Sequence, residues 1–297
     1  MSPRLTLIGF GEVGQTLRAD LAASGVIDVV VHDRLFDDPA SAPSKAAFGV
    51  ARVANDLASA CADRDLVISA VTAAEALNVA RAAAPHLGDG FFLDLNSVSP
   101  QTRQAEAQAL AGSRARYVEG AVMAPIGPKR LKTPILLGGP AAEAVAPMLS
   151  QLGFSTSPAG SEIGRASAVK LSRSIFVKGL EAIVTESLAS ARHYGVEDEV
   201  LASLSNTIPH PDWRGLARYL LSRPLVHGKR RSEEMVEAAK MLLAADLDAS
   251  MTCAMVEVHA RQGGLGLGEE AEGGVDLVDL LDVVAERTKL GANRKDS

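Results

Sequence analysis

Three glycines spaced G-x-G-x-x-G (Gly9, Gly11 and Gly14), and a carboxylate at Asp33 nineteen residues beyond the last of them, form a set that could hold a dinucleotide. In the run Gly9-Phe10-Gly11-Glu12-Val13-Gly14, the first glycine permits a tight turn and the second lets the backbone approach a pyrophosphate. The third lets a helix pack against a strand. The N–H groups and positive dipole end of that helix would hold the phosphates. Asp33 would accept hydrogen bonds from the adenosine ribose hydroxyls, which favours NAD. Arg34 beside it could instead pair with a 2′-phosphate, so NADP stays open. A second chemical candidate is Lys170. A lysine can give a proton to a carbonyl oxygen or take one from a hydroxyl, once burial or nearby positive charge lowers its ordinary pKa of about 10.4. Arg173 and Ser174, three and four residues further on, can share its helical face. Arg173 could depress the lysine pKa and bind an anionic substrate group, or simply make a surface salt bridge. Ser174 could donate to a substrate hydroxyl.

These residues need a scaffold, and the apolar pattern supplies one. Leu5 to Ile8 reads as a buried parallel strand ending at Gly9, and Glu12 to Ser24 as a helix closed by Gly25. Ile27 to Val31, Gly49 to Val53, Asp65 to Val71 and Gly90 to Leu95 read as further strands, with alanine-rich helices between them. That alternation predicts βαβ units and a parallel sheet. Ser99-Pro100 caps and opens another helix, whose first N–H groups could receive a substrate carboxylate. Tyr117 to Met123 and Pro134 to Leu137 complete the strands, and a helix follows over Ala141 to Leu152. After Phe154 the strand signal fades. Ile163 to Tyr194 reads as one long helix bearing Lys170, and the remainder as helical, with a polar tail from Gly291 to Ser297 expected to fray.

With 297 residues, 47% hydrophobic and 22% charged, the chain has the length for about two domains, each with its own core. A net charge of −6 gives no overall attraction to nucleic-acid backbones or anionic lipid. Two cysteines, Cys61 and Cys253, make neither a disulfide framework nor a zinc site. No apolar run approaches the roughly 20 residues of a membrane span, and the first residues lead into a strand without a leader pattern. A soluble, cytoplasmic protein is expected.

At Gly9 to Gly14, Asp94-Leu95-Asn96-Ser97-Val98-Ser99-Pro100, Glu119 to Gly139 and the Lys170 helix, the chain resembles the β-hydroxyacid dehydrogenase family. That family includes 3-hydroxyisobutyrate and 6-phosphogluconate dehydrogenases, and the likeness covers most of the chain. It implies a catalytic lysine at Lys170, a loop touching nicotinamide and substrate at Asn96 and Ser97, and a cofactor-lining pair at Val71 and Thr72. The family's Ser-Gly-Gly substrate loop falls on Met123-Ala124-Pro125, where Pro125 has no N–H to offer. Its asparagine four residues past the lysine is Ser174 here, and the asparagine before that is Arg173. Arg173-Ser174, Lys178-Gly179-Leu180-Glu181 and Arg230-Arg231-Ser232-Glu233-Glu234-Met235 look like a branch with its own C-terminal domain of unknown function. A homodimer built through the helical domain is implied as well.

Other candidates read as structural. His227-Gly228-Lys229-Arg230-Arg231 is a compact basic cluster, more simply a solvated helix start with Ser232 as its cap than an anion site. His193, His210 and His259 lack metal-ligand spacing, Trp213 reads as a core or interface anchor, and Met235, Met241, Met251 and Met255 read as helical core. The expected architecture is an α/β Rossmann-type doubly wound parallel sheet over residues 1–160 with an all-α domain over 161–297. The expected function is an NAD(P)-dependent dehydrogenase or reductase of a small hydroxy compound, a hydroxy acid or an alcohol, using no metal. An imine reductase, a class that typically carries another residue where Lys170 stands, and a non-catalytic dinucleotide sensor are the alternatives.

Overall fold

The computed structural model describes residues 3–26 and 28–293, and its contacts divide the chain into two units, residues 1–170 and 171–297. The first unit runs β1 (Leu5–Ile8), α1 (Glu12–Ala23), β2 (Val29–His32), α2 (Ala42–Ala47), β3 (Arg52–Val53), α3 (Leu57–Cys61), β4 (Leu66–Ser69) and α4 (Ala76–Ala83). It continues with β5 (Phe91–Asp94), α5 (Pro100–Leu110), β6 (Arg116–Val122), α6 (Ile126–Lys129), β7 (Pro134–Gly138), α7 (Ala142–Gln151) and β8 (Ser155–Gly160). The start of the long α8 (Arg165–Tyr194) also belongs to it. One eight-stranded sheet results, in the order β3-β2-β1-β4-β5-β6-β7-β8.

The three central strands, β1, β4 and β5, are buried at every position. Successive side chains of a strand point to opposite faces, and two cores record this. Leu5, Leu7, Leu66, Ile68, Phe91 and Leu93 join one core, while Ile8, Val67 and Phe92 join the other. Burial on both faces is what a sheet covered by helices on each side requires.

The expected Rossmann-type doubly wound sheet is present and mostly parallel; one pair departs from it, β6 with β7, which run antiparallel with Glu119 opposite Gly138. The short connection between them holds only the one-turn α6 and a 3-10 turn, too little for a crossover back to a parallel start. The stretch after Phe154 is also a strand. β8 pairs parallel with β7 at the sheet edge and carries mostly exposed small residues, so it shows no hydrophobic alternation. The expected second strand begins at Ile27, which lies outside the described residues; β2 itself starts at Val29.

The second unit contains the remainder of α8, then α9 (Glu197–Thr207), α10 (Trp213–Leu243), α11 (Ser250–Gly263), α12 (Gly268–Glu272) and α13 (Leu277–Asn293). Leu188, Leu201, Trp213, Leu220, Leu225 and Leu280 are among the side chains of its core. α10 runs straight through the predicted helix start at Ser232 and is bent instead at His227, three residues after Pro224, where the backbone leaves helical angles. At the bend Gly228 touches α11. A Cβ there would lie 2.3 Å from the His259 carbonyl oxygen and 2.5 Å from Gly263. Met235, Met241 and Met255 are buried as expected, but Met251 is exposed. The expected frayed tail is helical as far as Asn293, and residues 294–297 lie outside the described residues. Among the described residues no helix is long and apolar enough to cross a membrane, and none of the His, Cys, Asp and Glu side chains cluster as a metal site.

Candidate active site

The glycine loop joins β1 to α1. Gly9 sits at φ +93°, and a Cβ on it would lie 2.4 Å from the Ala70 carbonyl oxygen. A Cβ on Gly14 would lie 2.1 Å from the Gly9 carbonyl oxygen, so helix and strand can close only over glycine. Gly11 differs: a Cβ there meets nothing within 4 Å. The loop is therefore tight where protein packs on it and open at Gly11, the N-cap of α1, whose first N–H groups have no acceptor within the helix. Those features fit a pyrophosphate. Glu12 opens α1 and is exposed, and Val13 packs partly against the core. Phe10 is a core side chain whose ring is tilted against that of Phe36, and it contributes through its backbone.

That backbone fixes Asp33. The Phe10 N–H donates to Asp33 Oδ2 at 2.7 Å and the Leu35 N–H donates to Oδ1 at 2.9 Å. Each carboxylate oxygen keeps a second lone pair for a ribose hydroxyl. Arg34 is exposed and paired with Glu75 at 3.2 Å. Val71 leans on the glycine loop, 3.0 Å from the position of a Gly9 Cβ, and Thr72 is exposed after it.

The strongest convergence is at the end of β5. Lys170 Nζ donates to Ser97 Oγ, joining residues 73 positions apart. Asn96 is buried. Its amide nitrogen donates to Ser69 Oγ at 3.0 Å and to Asp94 Oδ2 at 2.6 Å, while its Oδ1 has no partner. An orphaned, buried acceptor on the residue directly before the lysine's partner Ser97 suits the carboxamide N–H of a nicotinamide.

Beneath the pair lies a buried charge cluster that pattern reading misses. α5 turns Arg103 and Glu106 inward, three residues apart, beside Leu110. Arg103 is wholly buried and pairs with Asp94; its Nε donates to Ser167 Oγ at 3.0 Å. Glu106 accepts from the Tyr117 hydroxyl at 2.6 Å, and burial together with the nearby Asp94 pushes its pKa up to about 7. Glu119, buried in β6, accepts the N–H groups of Gly164 (2.7 Å) and Ser167, and so caps the first turn of α8 from outside the helix. A Cβ on Gly138 would lie 2.6 Å from Glu119 Oε2, so this cap needs glycine opposite it. The available signal was the presence of charges at Asp94 and Glu119 inside otherwise apolar strands.

The start of α5 does not offer the expected carboxylate site. Ser99 is buried with its Oγ taking the Thr102 N–H at 3.3 Å, Pro100 has no N–H, and the backbone of Gly164 packs on Pro100. At Met123-Ala124-Pro125, where a substrate loop is expected, the Met123 N–H is spent on the Pro134 carbonyl at 2.9 Å. Arg173 is exposed and makes no salt bridge among the described residues.

The second unit gathers the other sequence blocks. The Ser174 hydroxyl donates to Glu234 Oε1, and Lys178 Nζ donates to the same oxygen at 3.0 Å and to Ser174 Oγ at 3.2 Å. Glu181 pairs with Arg231 at 3.1 Å. Burial raises the Glu181 carboxyl to about 7 and lowers Lys178, and it brings His259 down to about 4. The Ser174 hydrogen is thus directed to Glu234, and Arg231 leaves the basic cluster for an internal ion pair.

Residues 4–160 match the model for the NAD binding domain of 6-phosphogluconate dehydrogenase, more than half of the chain. The chain belongs to that family. Residues 191–262 match a domain of unknown function (DUF1932). A conserved hypothetical protein from Sinorhizobium meliloti 1021 is 37% identical, with 97% of each chain covered and a TM-score of 0.77. A second conserved protein of unknown function, described as structurally similar to 3-hydroxyacid dehydrogenases, is 30% identical at a TM-score of 0.71. That match covers 90% of this chain and 97% of the other. The 3-hydroxyisobutyrate dehydrogenase of Mycobacterium tuberculosis, solved with L-serine, covers 96% of this chain and 99% of its own at 15% identity and a TM-score of 0.72, and shares the fold. This family member is a dinucleotide-binding protein of the 3-hydroxyacid dehydrogenase type in fold.

Proposed function

We propose that this chain is an NAD(P)-dependent oxidoreductase acting on the CH–OH group of a small hydroxy compound, with Lys170 as the proton donor and acceptor. The observation that supports it most is the Lys170–Ser97 hydrogen bond at the end of β5, in the same unit as the glycine loop. A bound dinucleotide would supply or accept the hydride. The chain's part is to hold the hydroxyl or carbonyl oxygen where Lys170 can exchange its proton, with Ser97 fixing the amine and Asn96 Oδ1 receiving the carboxamide. NAD is the favoured cofactor, because Asp33 has lone pairs to spare for ribose hydroxyls and Arg34 is held by Glu75. The nearly amide-free loop at Met123-Ala124-Pro125 suits an alcohol as well as a hydroxy acid.

Titrating the purified protein with NADH and NADPH, followed by fluorescence, tests the cofactor, and binding of neither would end the proposal. For any hydroxy compound that the wild type oxidises, Lys170→Ala should lower turnover about 10²- to 10⁴-fold and leave dinucleotide affinity in place. Unchanged turnover would remove Lys170 from the chemistry.

A further inference from the structure

We infer that Arg103 is the positioning residue of the Lys170–Ser97 pair, one buried guanidinium tying the loop that carries Ser97 to the turn of α8 directly before Lys170. The inference rests on the reading of Lys170 as the proton-transfer group. On the loop side, Arg103 Nη2 donates to the Asn96 carbonyl oxygen, and Nη1 donates to the Asp94 carboxylate and, at 3.2 Å, to the Asp94 carbonyl oxygen. Asn96 is the residue directly before Ser97. On the helix side, Nε donates to Ser167 Oγ at 3.0 Å, and Ser167 lies three residues, about one turn, before Lys170. A further bond from Nη2 reaches the Gly120 carbonyl oxygen at 3.3 Å on β6, the strand that also carries Glu119.

The shape of the group explains its choice. A guanidinium has five donors on three nitrogens in a rigid planar fork, which here reach oxygens of Asp94, Asn96, Gly120 and Ser167, whereas a lysine amine has three donors on a single nitrogen. The Ser167 turn is gripped twice, by Arg103 through its hydroxyl and by Glu119 through its N–H. Burying a guanidinium is costly without full pairing, and its pairing here includes the residue before Ser97 and the turn before Lys170 beside the buried carboxylates of Asp94 and Glu106. Proton transfer is sensitive to such placement, because a catalytic group must be held within a fraction of an ångström by its supporting shell.

The test needs no substrate. Trace acetylation of the full chain with acetic anhydride across a pH series, read by peptide mass spectrometry, reports the reactivity of each lysine separately. Lys129 and Lys132, exposed in the same unit, serve as internal references. Ser97→Ala marks the Lys170 curve without the Ser97 hydrogen bond. Ser167→Ala deletes only the Nε link and leaves the Ser167 N–H on Glu119. It is expected to move the Lys170 curve toward the Ser97→Ala curve by about tenfold or more in reactivity, the worth of one hydrogen bond from a charged donor. Arg103→Lys should move it further, and Lys129 and Lys132 should stay put in both variants. If Arg103→Lys does not fold, Ser167→Ala decides alone. A Lys170 curve unchanged in Ser167→Ala, or one that moves together with Lys129 and Lys132 as in general loosening, overturns the inference. Wild-type protein that binds neither NADH nor NADPH in a parallel titration would overturn the functional reading separately, leaving the labelling result to judge Arg103 as a structural clamp.

Discussion

Asp33 and Arg34 stand side by side at the end of β2 with opposite preferences for what occupies the ribose, and Glu75 tilts the balance by holding the arginine. The pair is exposed, so it is worth at most about 1 kcal/mol. Glu75→Gln should therefore raise NADPH affinity by roughly two- to fivefold while NADH affinity stays level, as read by fluorescence titration. Local residues of this kind were legible in the chain. Gly9 and Gly14 are dictated by contacts within one turn and its neighbouring strand, and the spacing to Asp33 follows from a single βαβ unit. Ser174 was not legible, because its partner Glu234 is 60 residues away on another helix. Arg103 was hidden for another reason: periodicity assigns charged residues to the wet face, and here the inward face of α5 is the charged one.

At the scale of elements, α8 is the one on which the site depends, and its first turn is held by a carboxylate from another strand. Replacing Glu119 with glutamine keeps one acceptor and turns an amide N–H group toward a backbone donor. One buried donor is left unpaired, at about 1–3 kcal/mol. The expected result is a thermal midpoint lower by several degrees in Glu119→Gln, with secondary structure retained by circular dichroism. The central strands were readable from composition alone, since burial on two faces demands continuous apolar runs at β1, β4 and β5. β8 was not, because an edge strand with small exposed residues shares its composition with a linker. Ser232 misled for a related reason: a serine before two glutamates has the chemistry of a cap, yet α10 passes through it, and the break falls at His227 near a proline.

Over the whole molecule, buried ionisable groups set how stability follows pH. Glu106 and Glu181 are raised from 4.5 to about 7, mainly by burial. Between those limits the folded chain keeps protons that the unfolded chain has lost, so this contribution is present at low pH and is lost as pH rises through 7. Melting temperatures across a pH series should accordingly show Glu106→Gln and Glu181→Gln gaining on wild type near pH 8 relative to pH 5. His227 and His259, lowered from 6.5 to about 4, act in the other direction and weaken the fold as pH falls through that window. α8 also leaves Phe176 and Ile183, seven residues apart, 69% and 56% exposed. We propose that this stripe joins two copies of the chain. Sedimentation should give about twice 30.9 kDa, and Phe176→Asp with Ile183→Asp should return the monomer. A wild-type monomer would refute the pairing.

The cap on α8 also bears on the order in which the protein can be completed during synthesis. The match to the dinucleotide-binding family ends at residue 160, yet the buried carboxylate of Glu119 waits for the N–H groups of residues 164 and 167, and Arg103 waits for Ser167. A nascent chain that has released every strand of the sheet still holds an acid without its two backbone donors and an unfinished guanidinium fork. Only when the next few residues leave the ribosome and coil into the first turn of α8 can the first unit close, so the same turn that brings Lys170 to Ser97 is the last piece its own domain needs.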